Sequence, residues 1–203
     1  MKIMFVSAKT KSEINGKKIS QLKLPKKIAI AYSIQFKEIA EKVLKILSAN
    51  HKITLIIQVL GCSSPKFPSE TEAILLLSTG KFHAVSLAFE SKIPVYVLEE
   101  NNLKKISKEE IDLLDKKRKT SYLKFLNADK IGILVSTKPG QENLTKAVSF
   151  KSKLKDKKSY LFMGNNIDIN EFENFGINSW VNTSCPRMDF DSSVINLKTL
   201  NPS

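Results

Sequence analysis

The amino-acid sequence predicts an α/β fold made of two consecutive three-layer domains with mainly parallel sheets. Short, continuous apolar runs recur along the chain, which is typical of parallel strands covered on both faces. Segments with apolar residues at helical spacing separate these runs. The alternation of strand and helix restarts near residue 127, so we predict a first domain over residues 26–126 and a second over residues 127–203.

The first predicted domain begins with a strand and a helix. Its apolar runs are Ile28–Tyr32, Ile53–Ile57, Ala73–Leu77 and Val95–Leu98. Residues 35–49 have the apolar spacing of a helix between the first two strands. Ser107-Lys108-Glu109-Glu110 matches a capping box, which predicts a helix from there to Leu126 that joins the two domains.

The second predicted domain repeats this order. Its strands are predicted at Ile131–Val135, Ser159–Phe162 and Ser179–Asn182. Residues 141–154 have helical spacing, with Leu144, Val148 and Leu154 expected to face inward, and residues 169–175 are expected to form a short helix.

Residues 1–25 do not fit either domain. Residues 3–8 are apolar and read as a strand, and a lysine-rich linker containing Gly16 follows as far as Pro25. Because a lone strand cannot bury itself, we expect it to be the last strand of a further domain that this sequence does not contain.

Charge and composition limit the classes of partner. The chain is 42% apolar, enough for a buried core, and has a net charge of +13 from 33 basic and 20 acidic residues. Most basic residues are lysine, whereas sequence-specific nucleic-acid readers favour arginine for its fork onto guanine. The apolar runs are far shorter than the roughly 20 residues of a membrane span. We expect a cytoplasmic protein with no membrane or direct nucleic-acid partner, whose lysines form a solvated surface or help it approach an anionic protein.

Residues whose side chains can bind ligands or take part in reactions follow the predicted strands. Ligands of α/β proteins bind beyond the carboxyl ends of parallel strands. Four segments there carry cysteine, histidine, lysine, glycine or arginine: Gln58–Cys62, Ser78–His83, Ser136–Gln141 and Asn182–Arg187. The sequence has no G-x-G-x-x-G after a strand, no P-loop spacing and no Cys-x-x-Cys, which argues against a dinucleotide site, a P-loop and a zinc ribbon.

Each of these residues also has a structural interpretation. Cys62 and Cys185 could be inert buried thiols, His83 a polar residue satisfied by its neighbours, and Gly80 and Gly140 turn glycines. Two distant thiolates with a third from elsewhere would instead suit an iron–sulfur cluster. The three closely spaced cysteines of standard radical S-adenosylmethionine enzymes are absent, so such a cluster would need one cysteine from each of several domains.

These segments resemble an enzyme family. Gln58–Cys62, Ser78–His83, Gly132–Gln141 and Val181–Arg187 are similar in sequence, order and spacing to the archaeal 2-(3-amino-3-carboxypropyl)histidine synthases, which begin diphthamide synthesis. The similarity runs from about Ile3 to Asp191. It implies three similar α/β domains in a pseudo-threefold ring, each giving one cysteine to a central [4Fe–4S] cluster. In such an enzyme S-adenosylmethionine binds the open iron, an electron from the cluster cleaves its Cγ–S bond, and the 3-amino-3-carboxypropyl radical adds to a histidine of translation elongation factor 2.

The resemblance assigns roles to individual residues. Cys62 matches the ligand of the second domain and Cys185 that of the third. The residues expected around S-adenosylmethionine are Gln35, Thr79, Gly80, Lys81, His83, Thr137, Lys138, Gln141 and Arg187. Glycine turns suit a carboxylate because their N–H groups are free to bind it. Arg187 could bind that carboxylate or brace the cluster loop through an ion pair.

The first domain of the family, with its own cysteine, is absent from the sequence. A split gene, a fragment or mis-called start, and a degenerate paralogue would each explain this. We favour a split or truncated member because both cysteine segments are intact. We expect the chain to need a separate polypeptide that supplies the first domain, to form a homodimer or heteromer, and to be inactive alone.

Two other classes of function stay open. A non-catalytic module could recruit elongation factor 2 to a complete enzyme or bind an active subunit. A basic nucleic-acid-binding protein ranks last, because aromatic and basic residues are not interleaved along one strand.

Overall fold

The computed structural model describes residues 10, 13–60, 63–79, 81–99, 101–186 and 194–200. It forms two compact units, one ending at Asp112 and the other beginning at Leu113. This division falls inside the helix that we predict from sequence to join two domains. Both units contain a mainly parallel sheet with helices, which confirms the predicted α/β class. The strand predicted at residues 3–8 lies outside the described residues.

The first unit, unit 1, has one sheet of order β2-β1-β3-β4-β5. Its strands are β1 (Lys27–Tyr32), β2 (Lys52–Gln58), β3 (Ala73–Leu77), β4 (Val95–Glu99) and β5 (Asn102–Lys105). Its helices are α1 (Gly16–Ser20), α2 (Lys37–Leu47) and α3 (Lys81–Ser91), with a 3-10 turn at Ile34–Phe36. The first four strands pair in parallel, whereas β5 returns antiparallel to β4.

The core of unit 1 lies around its central strands. β3 is buried along its whole length, and α2 covers the sheet with Ile39, Ala40, Val43 and Leu47. The strand β2 is at the edge of the sheet, and its Ile56 is 39% exposed. The expectation that every strand is covered on both faces was therefore wrong for β2, whose side chains are exposed or half-buried along its whole length.

The helix α3 was not predicted from the sequence. We expected residues 78–83 to form a loop, but Lys81 already begins the helix and His83 lies in its first turn. Residues 84–88 of α3 are all buried. A helix buried on every side has no polar face, so its sequence lacks the period that identifies an amphipathic helix.

The second unit, unit 2, has one fully parallel sheet of order β7-β6-β8-β9. Its strands are β6 (Lys130–Ser136), β7 (Lys158–Gly164), β8 (Ser179–Asn182) and β9 (Val194–Asn196). Its helices are α5 (Leu144–Lys153) and α6 (Leu197–Leu200), with a 3-10 helix at Ile169–Phe175. The helix α4 (Lys108–Asn127) precedes this sheet and contributes Phe125 to its core.

The capping box predicted for α4 is confirmed. The Ser107 N–H donates to Oε2 of Glu110 at 3.0 Å, and the Glu110 N–H donates to Oγ of Ser107 at 3.2 Å. Two backbone donors that would otherwise lack partners at the start of the helix are thereby satisfied.

The inward face of α5 differs from the prediction. Ala147 and Phe150 are buried, whereas Val148 is 49% exposed. The helix begins at Leu144, and its buried side follows a three-residue spacing that turns Val148 outward. The prediction that Val148 faces inward was wrong.

Some of the surface lysines have local carboxylate partners. Lys27 and Lys52 lie side by side in the register of β1 and β2, and their ammonium groups are 3.7 and 2.9 Å from Oε2 of Glu70. The hydrogen bond and charge of Lys52 lower the pKa of Glu70 below its ordinary value. Among the described residues no helix combines the length and apolar character needed to cross a membrane.

Gly132 allows close packing on one face of the unit 2 sheet. Gly132 of β6 is in register with Trp180 of β8, and the indole ring lies over it. A Cβ atom on residue 132 would be 2.3 Å from Cε3 of the indole. The ring is confined in turn by Phe172, at a centroid distance of 4.1 Å, and by Phe162, at 4.8 Å.

We expect Gly132→Ala to destabilise unit 2 by about 1–3 kcal/mol, because a rigid ring must move to admit the methyl group. Urea unfolding followed by the fluorescence of Trp180, the one tryptophan of the chain, measures this change. Gly16→Ala is the control, since its Cβ would meet only Ile46 Cδ1 at 3.7 Å. An unfolding midpoint for Gly132→Ala equal to that of the parent would contradict the packing argument.

Candidate functional site

The topology of unit 2 brings two of the predicted segments together. From β6 the chain passes through α5 to β7 on one side, and β8 lies on the other side of β6. The carboxyl ends of β6 and β8 therefore flank the switch point, where parallel sheets bind ligands. The Ser136 N–H donates to Oγ of Ser184 at 2.8 Å, which joins the segments 136–141 and 182–187.

The segment after β6 forms a turn. The Thr137 N–H donates to the carbonyl of Gly164 at 3.0 Å, and the Gln141 N–H donates to the carbonyl of Lys138 at 3.0 Å. Gly140 has φ +78°, a left-handed conformation that favours glycine. Thr137 and Gln141 are exposed and Lys138 is half-buried, so their side chains lie at the surface of the switch point. The helix predicted to start at Gln141 starts at Leu144 instead.

Cys185 lies on a loop that is tied to the sheet. Its thiol is free and the residue is half-buried. Immediately before it, the Thr183 hydroxyl donates to the carbonyl of Leu134 at 2.8 Å, and Nδ2 of Asn143 donates to the carbonyl of Thr183 at 2.9 Å. Nδ2 of Asn182 donates to the carbonyl of Cys185 itself at 2.7 Å. Cys185 is therefore partly exposed, and hydrogen bonds on its own carbonyl and on Thr183 hold the backbone of its loop.

Asn182 and Asn196 are residues whose roles we did not predict from sequence. Both are buried, and their side chains contact each other at the ends of β8 and β9. In the sequence, a polar residue at the end of each strand could have indicated these roles. However, β9 has three residues, too few for its apolar pattern to be recognised as a strand.

The corresponding end of the unit 1 sheet contains Gln35 and Thr79. The switch point there lies between β1 and β3, where the Ser33 N–H donates to the carbonyl of Leu77 at 3.0 Å. Gln35 lies in the 3-10 turn after β1 and Thr79 in a bend after β3, and both are exposed. Gly80 lies outside the described residues, as does the side chain of Lys81.

His83 lies beside Leu60 and Ser63, which follow β2. A small cleft of about 20 Å³ is lined by His83, Ser86 and Glu90 of α3 and by the residues after β2, including Ser63. The Ser64 hydroxyl donates to Oε2 of Glu90 at 2.7 Å. Gly61 and Cys62 themselves lie outside the described residues.

The residues on either side of Gly61 and Cys62 are joined by hydrogen bonds. The Ser63 N–H donates to the carbonyl of Leu60 at 3.0 Å, and the Leu60 N–H donates to Oγ of Ser63 at 2.7 Å. These bonds tie Leu60 to Ser63.

A cluster-binding role for Cys185 fits its surroundings. Iron–sulfur clusters are held by cysteine thiolates, and this free, half-buried cysteine lies at the ligand-binding end of a parallel sheet. Within the described ranges no three His, Cys, Asp or Glu side chains form a metal-binding group. The described part thus contains one of the two cysteines that we predict as cluster ligands. The meeting of Cys62 with Cys185, and the role of Arg187, fall on residues outside the description and stay predictions.

Comparison with known proteins identifies the family. Residues 1–195 match the family model described as "Putative diphthamide synthesis protein". The chain belongs to this family. It is 29% identical over 136 residues to the 2-(3-amino-3-carboxypropyl)histidine synthase of Pyrococcus horikoshii, covering 66% of this chain and 40% of that protein. It is 36% identical over 120 residues to the synthase of Methanocaldococcus jannaschii, covering 57% of this chain and 32% of that protein.

Solved structures of the family agree with the fold. A crystal structure of Dph2 from Pyrococcus horikoshii has a TM-score of 0.74 and 24% identity, covering 88% of this chain and 57% of that one. A second structure of that protein, with a 4Fe-4S cluster, has a TM-score of 0.73 and 25% identity over the same shares. The chain thus spans little more than half of these structures and less than half of the curated relatives it matches.

We expect Gly140→Ala to destabilise unit 2 by about 1 kcal/mol, because an alanine at φ +78° is strained although nothing lies within 4 Å of its Cβ. Gly140→Asn is the matched control and should lose less, since asparagine tolerates this conformation. Urea unfolding of both variants gives the comparison. Equal losses for alanine and asparagine would argue against backbone strain as the cause.

Proposed function

We propose that this chain is part of an iron–sulfur transferase that moves the 3-amino-3-carboxypropyl group of S-adenosylmethionine to a histidine of translation elongation factor 2. This is the first step of diphthamide biosynthesis. The observation that carries the proposal is the free, half-buried Cys185 on a hydrogen-bonded loop at the switch point of unit 2. Membership of the diphthamide synthesis family supports it.

In this proposal Cys62 and Cys185 are two ligands of a [4Fe–4S] cluster. When bound, the cluster supplies the electron that cleaves the Cγ–S bond of S-adenosylmethionine. The chain's own contribution is to present thiolates from fixed backbone positions. A cluster bound by thiolates needs more ligands than these two.

The turn after β6 is suited to the amino-acid part of S-adenosylmethionine. Thr137, Lys138 and Gln141 lie in this turn, which adjoins the Cys185 loop through the Ser136–Ser184 hydrogen bond. A carboxylate there would be attracted by the Lys138 ammonium and by backbone N–H groups of the turn. We assign these residues to hold and orient the substrate. The remaining proposed contacts are Gln35, Thr79, Gly80, Lys81, His83 and Arg187.

The chain is proposed to work with a further polypeptide. The relatives that it matches are longer, and we propose that a further cluster ligand comes from a domain equivalent to their unmatched part. The net charge of +13 would favour approach to an anionic partner such as elongation factor 2 on the ribosome.

Iron binding tests the ligand assignment. The chain co-expressed with a polypeptide that supplies the first domain should be brown after anaerobic reconstitution. Cys62→Ala and Cys185→Ala should each remove most of its iron and sulfide, because a cluster that loses a thiolate ligand is held less firmly. The exposed Ser20→Ala variant is the control. A complex without iron, or one whose iron survives both cysteine variants, would end the proposal.

Transfer to elongation factor 2 tests the reaction. The reconstituted complex with a reductant should move label from the carboxyl carbon of S-adenosylmethionine onto elongation factor 2. Replacement of the acceptor histidine in the factor should abolish labelling, and Cys185→Ala should lower it at least as much as it lowers iron content. Binding of elongation factor 2 that persists without both cysteines, with no labelling in the intact complex, would favour the non-catalytic recruiting module instead.

A further inference from the structure

Two amide side chains are buried at the ends of neighbouring strands. Asn182 ends β8 and Asn196 ends β9, and the two residues are in register. They are 2% and 6% exposed, and Nδ2 of Asn182 donates to Oδ1 of Asn196 at 2.6 Å. Burial of an amide is unfavourable unless its hydrogen bonds are made, so the remaining bonds of this pair show what it stabilises.

Those remaining bonds go to three successive residues of the Cys185 loop. Oδ1 of Asn182 accepts from the Ser184 N–H at 2.9 Å, and Nδ2 of Asn182 donates to the carbonyl of Cys185 at 2.7 Å. Nδ2 of Asn196 donates to the carbonyl of Pro186 at 2.9 Å. The loop is thus held from inside the sheet at its cysteine and on both sides of it.

We infer that the Asn182–Asn196 pair positions Cys185 for cluster binding, an inference that rests on the proposed function of Cys185 as a ligand. Neither asparagine is proposed to touch the cluster. Both act through the backbone of the loop, so they are positioning residues. A loop that is already ordered loses less conformational entropy when its thiolate binds, and it therefore holds the cluster more tightly.

Replacement of either asparagine by aspartate removes the N–H donors of its amide and keeps an acceptor oxygen. Asn182→Asp keeps an acceptor for the Ser184 N–H, but it puts a carboxylate oxygen against the carbonyl of Cys185 and Oδ1 of Asn196. Asn196→Asp keeps the acceptor for Asn182 and loses the bond to Pro186. It is the milder variant, and it decides the question if Asn182→Asp does not fold.

Ser179→Ala is the matched control. Ser179 lies at the other end of β8, is fully buried, and its hydroxyl has no hydrogen-bond partner among the described residues. Removal of the Ser179 hydroxyl changes a buried position on the same strand, but it leaves the hydrogen bonds of Asn182 and Asn196 to the Cys185 loop intact.

Thiol reactivity tests the inference without a cluster. In a full-length Cys62→Ser background Cys185 is the sole thiol, since the chain has two cysteines. We expect its rate of reaction with an aromatic disulfide reagent under native conditions to rise about tenfold in Asn182→Asp and less in Asn196→Asp, as loop-holding bonds are lost. Ser179→Ala should match the parent. Far-UV circular dichroism and the Trp180 unfolding transition show which variants are folded.

Cluster retention in the reconstituted complex gives the second readout. Iron release to a chelator should be about tenfold faster in Asn182→Asp than in Ser179→Ala, by the same loss of hydrogen bonds. Parental thiol rates and parental iron release in the folded aspartate variants would overturn the positioning role. An iron content that does not change in Cys185→Ala would instead overturn the proposed function. The thiol reaction rates would still decide whether the asparagines hold the loop.

Discussion

The parallel pairing of β6 with β8 determines where unit 2 can carry out chemistry. It places Ser136, at the end of one strand, beside the loop that follows the other, and a hydrogen bond to Ser184 joins them. The chain leaves these two strands in different directions, which is the arrangement that defines a switch point in a parallel sheet. The turn with Lys138 and the loop with Cys185 both begin at these strand ends, so the proposed substrate contact and the proposed cluster ligand belong to one unit.

The two units share a topology but use different strand ends for their cysteines. In both, the first strand is followed by a helix and an edge strand on one side, and the third strand lies on the other side. Cys185 follows the third strand of its unit, whereas Cys62 follows the edge strand β2 of its own. The bend at Thr79 is the counterpart of the Cys185 loop. Similar layouts therefore do not make the two cysteines equivalent.

The sequence predicted those elements whose pattern is local. Buried parallel strands such as β3 are continuous apolar runs, and the start of α4 has a capping box whose two hydrogen bonds are formed. The helix α3 was missed because burial on all sides removes its period. The exposed position of Val148 depends on where α5 begins, which a spacing pattern leaves uncertain by a few residues.

Asn196 shows why the support of the site could not be predicted. Its importance depends on β9 pairing with β8 in one register, and that pairing joins residues that are separated by the Cys185 loop itself. Apolar residues at positions 182 and 196 would allow the same backbone pairing of β8 with β9. They would, however, leave the Cys185 and Pro186 carbonyls without these donors. The amides are therefore better explained by the loop than by the stability of the sheet. The loop that carries Cys185 is held by side chains from two strands. A site supported in this way is more precise than one supported by loops alone.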